Sequence, residues 1–492
     1  MNKSLNKINL TQYAENIYEF IIKYKYIILI SFLTGIIVNA VDVFTIKFGI
    51  DSELYAIIDS PQIYYDTQRY GSWLLYYLIP FARYHIVSQI IGIFTLTLAG
   101  LLTVSRHNLP NSAKLLFVLL FVTYPNFAFL QYFYFQSAYN FIGLLLVVIA
   151  YRLIEKNNIL LYILALILLF IGISSYQANI AIYLCVVMIN VILDFINDKN
   201  YKKSIKMMVC YFSFLLAALI LYYVIIQICS SGINEYHKAF LSSQKNIIDS
   251  LGSLITYVYR ILINYHSNAK HTANILVTIF MVFSIIYVLI RYYNVKFYLY
   301  LFFLMFCFML SVFSINIFAG GYIVPRAELS NAFYPAFILM ILYLFNINNK
   351  IRYIVVITAI VIINIHAFFI VKNQMAYYIT YKHDEYTAQI IINKIYNRYP
   401  EIEKMEYKIY VSGILQNKVL HPLMKGKDMF NISMFSAPDR ILNFLKLQGF
   451  PMDIQLGNIT DDIMNNIKDM PAYPDNDCVQ LINDTVIIKL SN

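Results

Sequence analysis

Between residues 26 and 371 the chain alternates long apolar runs with short polar stretches. A helix needs roughly 20 apolar residues to cross a hydrocarbon core. By that ruler the pattern predicts about eleven spans: 26–44, 86–104, 115–133, 137–154, 159–174, 177–195, 207–228, 274–291, 297–318, 332–348 and 353–371. The stretches 115–154 and 159–195 are nearly continuous, but "YPNFAFLQYFYFQSAYN" and "SSYQAN" carry the proline and polar signals of turns within them. After residue 371 hydropathy falls and charge rises. There "DEYTAQIIINKIYNRY" has helical spacing and "YKIYVSG" alternates as a strand does. "CVQLINDTVIIKL" predicts a hairpin turning at Asn483 and Asp484. The expected architecture is a mainly α, polytopic membrane protein with a small α/β domain at residues 372–492.

Lys and Arg then predict an orientation. Lys3, Lys7, Lys23 and Lys25 precede the first span. Alternate loops carry Arg106/Lys114, Arg152/Lys156, Lys199/Lys202/Lys203/Lys206, Arg291/Lys296 and Lys350/Arg352. With an odd number of spans these clusters share one face, which the positive-inside rule assigns to the cytoplasm. Residues 1–25 are then a cytoplasmic segment, and no cleavable signal pattern is expected in them. Residues 26–371 form the membrane domain. Loops 45–85 and 229–273 and the tail 372–492 lie on the outer face. "SWLLYYLIPFARY" and "IIDSLGSLITYVYRILINY" suit helices lying along the membrane surface.

Composition agrees with that class and narrows the partners. The 492 residues are 60% hydrophobic and only 13% charged, with abundant Tyr (45) and Phe (36). The net charge of +10 sits in the loop clusters, so it marks orientation in a lipid bilayer and argues against nucleic-acid binding. The five cysteines show no CxxC and no Cys/His metal spacing. No cofactor or metal is expected. The Asn-x-Ser/Thr matches at Asn431, Asn458 and Asn483 are chance occurrences in an Asn-rich chain.

Against this avoidance of charge, "GIDSELYAII" collects Asp51 and Glu53 just after the first span, with Asp59, Asp66, Arg69 and the single Trp, Trp73, close behind. Asp42, in the last turn of that span, is a further candidate, because an acid there needs water or a partner. A carboxylate at an outer membrane face can take the proton of an acceptor hydroxyl as it attacks a sugar carbon. If the donor sugar hangs on a lipid phosphate, the departing phosphate needs cations. Outward arginines are few: Arg69, Arg83, Arg260, Arg326 and some in the tail. Arg326 lies in the Gly/Pro-shaped turn "AGGYIVPRAELSN" beside Glu328, whereas Arg260 sits in an aromatic-rich stretch from which it could reach a lipid phosphate.

The acid pair after the first span, Arg69 and Trp73 beside "GSWLL", the "SSYQAN" turn, the Arg326 turn and a tail ending in "DTVIIKL" together resemble the GtrII-type glucosyltransferases of bacterial O-antigen. The resemblance runs through most of the membrane part to the end of the tail. It implies a GT-C-like fold, an undecaprenyl-phosphate-sugar donor, a polysaccharide acceptor and a catalytic acid in the first outer loop. Asp51 is then the base, with Glu53 second. Donor-phosphate contacts fall to Arg326, Arg69 and Arg260, and substrate-side roles to Tyr176, Gln177 and Trp73. The chain departs from the family's Gly-Arg-aromatic run, since the order here is Arg69-Tyr70-Gly71-Ser72-Trp73. A polymerase or ligase of lipid-linked glycans would use the same phosphate logic. A transporter or flippase would instead show repeats and midplane charge.

Overall fold

The computed structural model describes residues 10–49, 52–58, 60–230, 274–279, 295–318, 323–345, 349–402, 406–415, 433–451, 454–457 and 460–491, together with residues 252, 255, 256, 259 and 282. The chain is mostly helical and forms two compact units. The first comprises Met1–Val38, Ile91–Phe127 and Asn140–His366. The second comprises Asn39–Ile90, Ala128–Tyr139 and Ala367–Asn492.

Among the described residues, seven helices are long and apolar enough to cross a membrane, or up to eight if a bent pair is one span. These are Glu15–Val38, His85–Ser105, Tyr134–Ile154, Asn179–Asp198, Tyr201–Ser230, Val295–Val312 and part of Asn349–Arg398. This is a smaller number than the sequence pattern suggested, for identifiable reasons. Ile159–Ser175 and Leu329–Phe345 are apolar but shorter. Pro125 opens a new helix, Pro125–Gln131, bent 48° from Asn111–Val122, because proline cannot donate to the preceding turn. Most of the span expected at 274–291, and most of the surface helix expected within 229–273, lie outside the described residues. The first helix starts upstream of the expected span, at Leu10, and gives way at Asn39 to the short helix Ala40–Phe44.

In the first unit the helix Asn179–Asp198 is buried along most of its length. It packs against Ile159–Ser175, Tyr201–Ser230 and Val295–Val312. Helices Leu10–Val38 and Phe333–Phe345 both pack on Asn111–Val122. Small residues set the closest approach. Gly172 faces the Gly143 carbonyl, and Gly143 in turn faces the Ser175 hydroxyl. Backbones that meet this closely gain dispersion contact where lipid offers no hydrophobic drive. At one end of this unit Arg106 is bound by Glu155 and Asp194 and donates to the Tyr151 hydroxyl at 2.9 Å. The adjacent His107 Nε2 is 2.8 Å from Asn190 Oδ1.

The second unit begins with a run of short helices: Ala40–Phe44, Ser52–Ile58, Gln62–Asp66 and Tyr70–Leu78. Strands β1 (Lys408–Ser412), β2 (Val479–Ile482) and β3 (Thr485–Lys489) form a sheet in the order β1-β3-β2. β1 runs parallel to β3, whereas β2 and β3 make the expected antiparallel hairpin. Asn483 adopts φ 54° at its turn, a left-handed conformation that Asn tolerates well. β3 is buried along its whole length, and Ile487 joins Ile463 and Met470 in a small core. The helix Asn349–Arg398 runs 50 residues without a break, so the helix expected near residue 384 is its continuation.

An alanine Cβ at position 172 would lie 2.6 Å from both the Gly143 carbonyl oxygen and Val147 Cγ2. Gly172→Ala should therefore cost about 1–3 kcal/mol, the usual penalty of overpacking. Gly252→Ala, with nothing within 4 Å among the described residues, should be neutral or slightly stabilising. Thermal unfolding of the two variants in one detergent checks the difference.

Candidate functional site

Glu53 sits in the first turn of Ser52–Ile58, a helix that opens with Ser52 N donating to Gly49 O at 2.9 Å. It is only 3% exposed. A carboxylate removed from water to that degree is stable only beside a cation or strong donors. Arg440 meets this need from the tail, its Nε donating to Glu53 Oε1 at 3.0 Å. Its Nη1 donates to Ser436 Oγ at 2.8 Å.

Arg440 is itself placed by a chain of polar contacts. Asp384, buried on the long helix, accepts from Ser433 Oγ and from Met434 N, each at 2.8 Å. Ser433 Oγ also accepts from Phe435 N at 3.0 Å. These bonds fix the turn Met434–Ser436, after which Pro438 starts the helix Pro438–Leu447 with its preset φ. That helix buries Ile441, Leu442, Phe444 and Leu445 and packs on Ser52–Ile58. The tail thus closes over the acid of the first loop. A second buried acid of this unit, Asp42, is ion-paired with Lys47.

Arg69 and Trp73 follow on the same loop. Gln68 takes a left-handed φ of 57°, unusual for a side chain of its kind, and turns the chain into Tyr70–Leu78. Arg69 accepts Trp73 N through its carbonyl at 2.9 Å and donates Nη1 to Gln136. Trp73 lies edge-on to Tyr65 and Tyr77, with centroids 6.1 and 5.3 Å away. Tyr77, Leu78, Phe81 and Tyr84 are exposed, and Arg83 lies over the rings of Tyr76 and Tyr84. An apolar aromatic face with a stacked cation is the composition of an interfacial helix. Beneath it Tyr64 donates to Phe135 O at 2.8 Å, and burial raises its phenol well above the usual range, so it stays a donor.

The first unit holds the remaining described candidates. Tyr176 ends Ile159–Ser175 in an extended conformation, and its hydroxyl donates to the Arg326 carbonyl at 3.1 Å. Gln177 donates to the Tyr222 hydroxyl at 2.8 Å. Arg326 lies in the turn Pro325–Ala327, and the neighbouring Glu328 is buried, its carbonyl accepting from Asn126 Nδ2 at 2.8 Å. The "SSYQAN" turn and the Arg326 turn, 150 residues apart, are therefore in contact. Asp51 and Arg260 lie outside the described residues. Among the described residues no group of three or more His, Cys, Asp or Glu gathers to hold a metal.

The long apolar helices fit a membrane protein, and its second unit holds a buried, arginine-bound carboxylate. The chain belongs to the glucosyl transferase GtrII family, whose model matches residues 43–347. The matched region contains Glu53, Arg69, Trp73, Tyr176, Gln177 and Arg326, and it ends before Arg440. Searches among curated proteins and among solved structures found no match.

Arg440, Asp384 and Lys47 escaped the sequence reading. The signal available for Arg440 was its place in "SAPDRILNFLKL", a Pro-started amphipathic helix. Asp384→Ala removes two hydrogen bonds to a charged group, which are typically worth about 1.5–3 kcal/mol each before relaxation. The variant should unfold at a lower temperature and expose residues 433–447 to limited proteolysis, while Asp384→Asn, which keeps one acceptor oxygen, should be milder.

Proposed function

We propose that this glucosyl transferase takes glucose from undecaprenyl-phosphate-glucose and adds it to a surface polysaccharide such as O-antigen. The reaction is assigned to the outer face of the bacterial cytoplasmic membrane, with residues 1–25 inside and residues 372–492 outside. The observation that carries this reading is Glu53, a buried acid on the first helix after the opening long helix, held by Arg440 of the tail. Family membership supports the transfer chemistry, and the Lys/Arg loops support the orientation.

The acceptor hydroxyl oxygen attacks the anomeric carbon. A new glycosidic bond forms as the bond from that carbon to the phosphate oxygen breaks. Asp51 takes the hydroxyl proton, and undecaprenyl phosphate leaves with the bonding electrons. Glu53, already balanced by Arg440, orients the acceptor side. Arg326 is the first candidate to bind the phosphate, and Arg69 and Arg260 are the further candidates for that role. A guanidinium matches phosphate oxygens in a two-pronged geometry that lysine cannot reproduce. Trp73, Tyr176 and Gln177 are assigned to the substrate side, where aromatic faces and amides suit sugar rings and hydroxyls.

Membranes bearing the full chain, supplied with radiolabelled undecaprenyl-phosphate-glucose and lipopolysaccharide, provide the test. Asp51→Asn should reduce transfer by about 10²- to 10⁴-fold, the usual worth of general-base help, with normal insertion and donor binding. Arg326→Lys in the same assay should raise the donor KM. Wild-type transfer by Asp51→Asn, with Glu53→Gln inactive, would move the base to Glu53. Full transfer by both would remove the chemistry from this loop.

A further inference from the structure

The segment that leads from the first long helix to the acids is fastened at three consecutive residues. Lys47 is ion-paired with Asp42, donates to the Gln374 carbonyl at 3.4 Å and stands 4.9 Å over the Tyr377 ring. Gln374 in turn donates to Asn39 Oδ1 at 3.0 Å, closing the contact around the start of the segment. The Phe48 carbonyl accepts the Tyr377 hydroxyl, and the Phe48 ring lies against Tyr134 and Tyr381, with centroids 6.2 and 6.5 Å away. Gly49 lies so close to the Tyr132 carbonyl that no side chain fits there. Its own carbonyl then accepts Ser52 N and starts the helix of Glu53.

Asp42 and Lys47 are 2% and 4% exposed. Two charges taken out of water lose hydration that their mutual attraction only partly restores, and apolar residues of similar size often serve stability as well. Stability alone therefore does not call for this pair, whereas its geometry does something an apolar pair would not. A lysine ammonium can satisfy the carboxylate, a carbonyl and a ring face at once, and each of these partners fixes the backbone next to the acids.

We propose that Lys47, through its buried pair with Asp42, is a positioning residue for glucosyl transfer. It holds Thr45–Gly49 against Gln374 and Tyr377, so that the helix of Glu53, which starts on the Gly49 carbonyl, is presented in one place. This assignment rests on the reading that Asp51 and Glu53 carry the chemistry. It gives Asp42 the role of Lys47's counter-ion in place of a base. Misplacing a reacting group by about 1 Å can lower a rate about 10²-fold without touching ground-state binding.

The test uses the full-length protein in detergent with radiolabelled undecaprenyl-phosphate-glucose and lipopolysaccharide. Lys47→Met alone strands a buried carboxylate and can unfold the protein. The informative variant is the charge-free double substitution Asp42→Leu/Lys47→Met. It should keep the wild-type melting temperature and a donor KM within about twofold, while kcat falls about 10²-fold. Lys47→Arg, which keeps the charge, should recover most of that loss. A double variant with wild-type kcat would overturn the proposal, and so would one that no longer folds, since that would assign the pair to stability. Asp51→Asn and Glu53→Gln are measured alongside. If they are inactive while the double variant is active, only the role of Lys47 fails. If both retain full turnover, the catalytic reading fails and takes this proposal with it.

Discussion

Glu53 cannot remain ionised at 3% exposure without compensation, and that constraint organises the second unit of the molecule. Its cation, Arg440, lies 387 residues further along the chain. Delivering it requires the helix Pro438–Leu447, which needs the turn that Asp384 holds through Ser433 and Met434. Pairing an acid with a guanidinium in this way makes the tail part of the first loop's structure. Loss of Arg440 would take a cation away from a buried acid, which typically costs more than the pair itself contributes.

The same rule applies to several other buried or half-buried polar groups. Asp42 and Lys47 neutralise each other, Arg106 is shared between Glu155 and Asp194, and Asn179 donates to Gly172 O at 2.9 Å. Elsewhere the helices meet through small residues, as at Gly143 and Gly172. A protein made of apolar helices gains little specificity from burial alone, so these few polar contacts and close approaches fix which surfaces face each other.

Much of the architecture was legible in local patterns. Apolar runs marked the long helices and the Asn483 turn marked the hairpin, because each feature depends on residues close in sequence, whereas the bend at Pro125 fell inside the span expected at 115–133. The span count was less legible, since mean hydropathy does not distinguish the shorter helices Ile159–Ser175 and Leu329–Phe345 from full crossings. Nor did the fall in hydropathy after residue 371 end a helix, because no Gly or Pro interrupts residues 349–398. Of the site, the first-loop acid and the contact between Tyr176 and the Arg326 turn lay on residues the sequence had singled out. Arg440 did not stand out, because an ion pair formed across 387 residues leaves no periodicity to read, and the contacts of Lys47 with Gln374 and of Asp384 with Ser433 and Met434 likewise join residues far apart in sequence.

The account depends most directly on the energetic coupling of Glu53 to Arg440. A double-mutant cycle on the full chain, with Glu53→Gln, Arg440→Met and the two combined, measures that coupling from unfolding free energies. The account predicts that the single variants are each destabilised and the double variant recovers part of the loss, giving an interaction energy of about 1.5–3 kcal/mol. Additive effects, agreeing within about 0.5 kcal/mol, would contradict it.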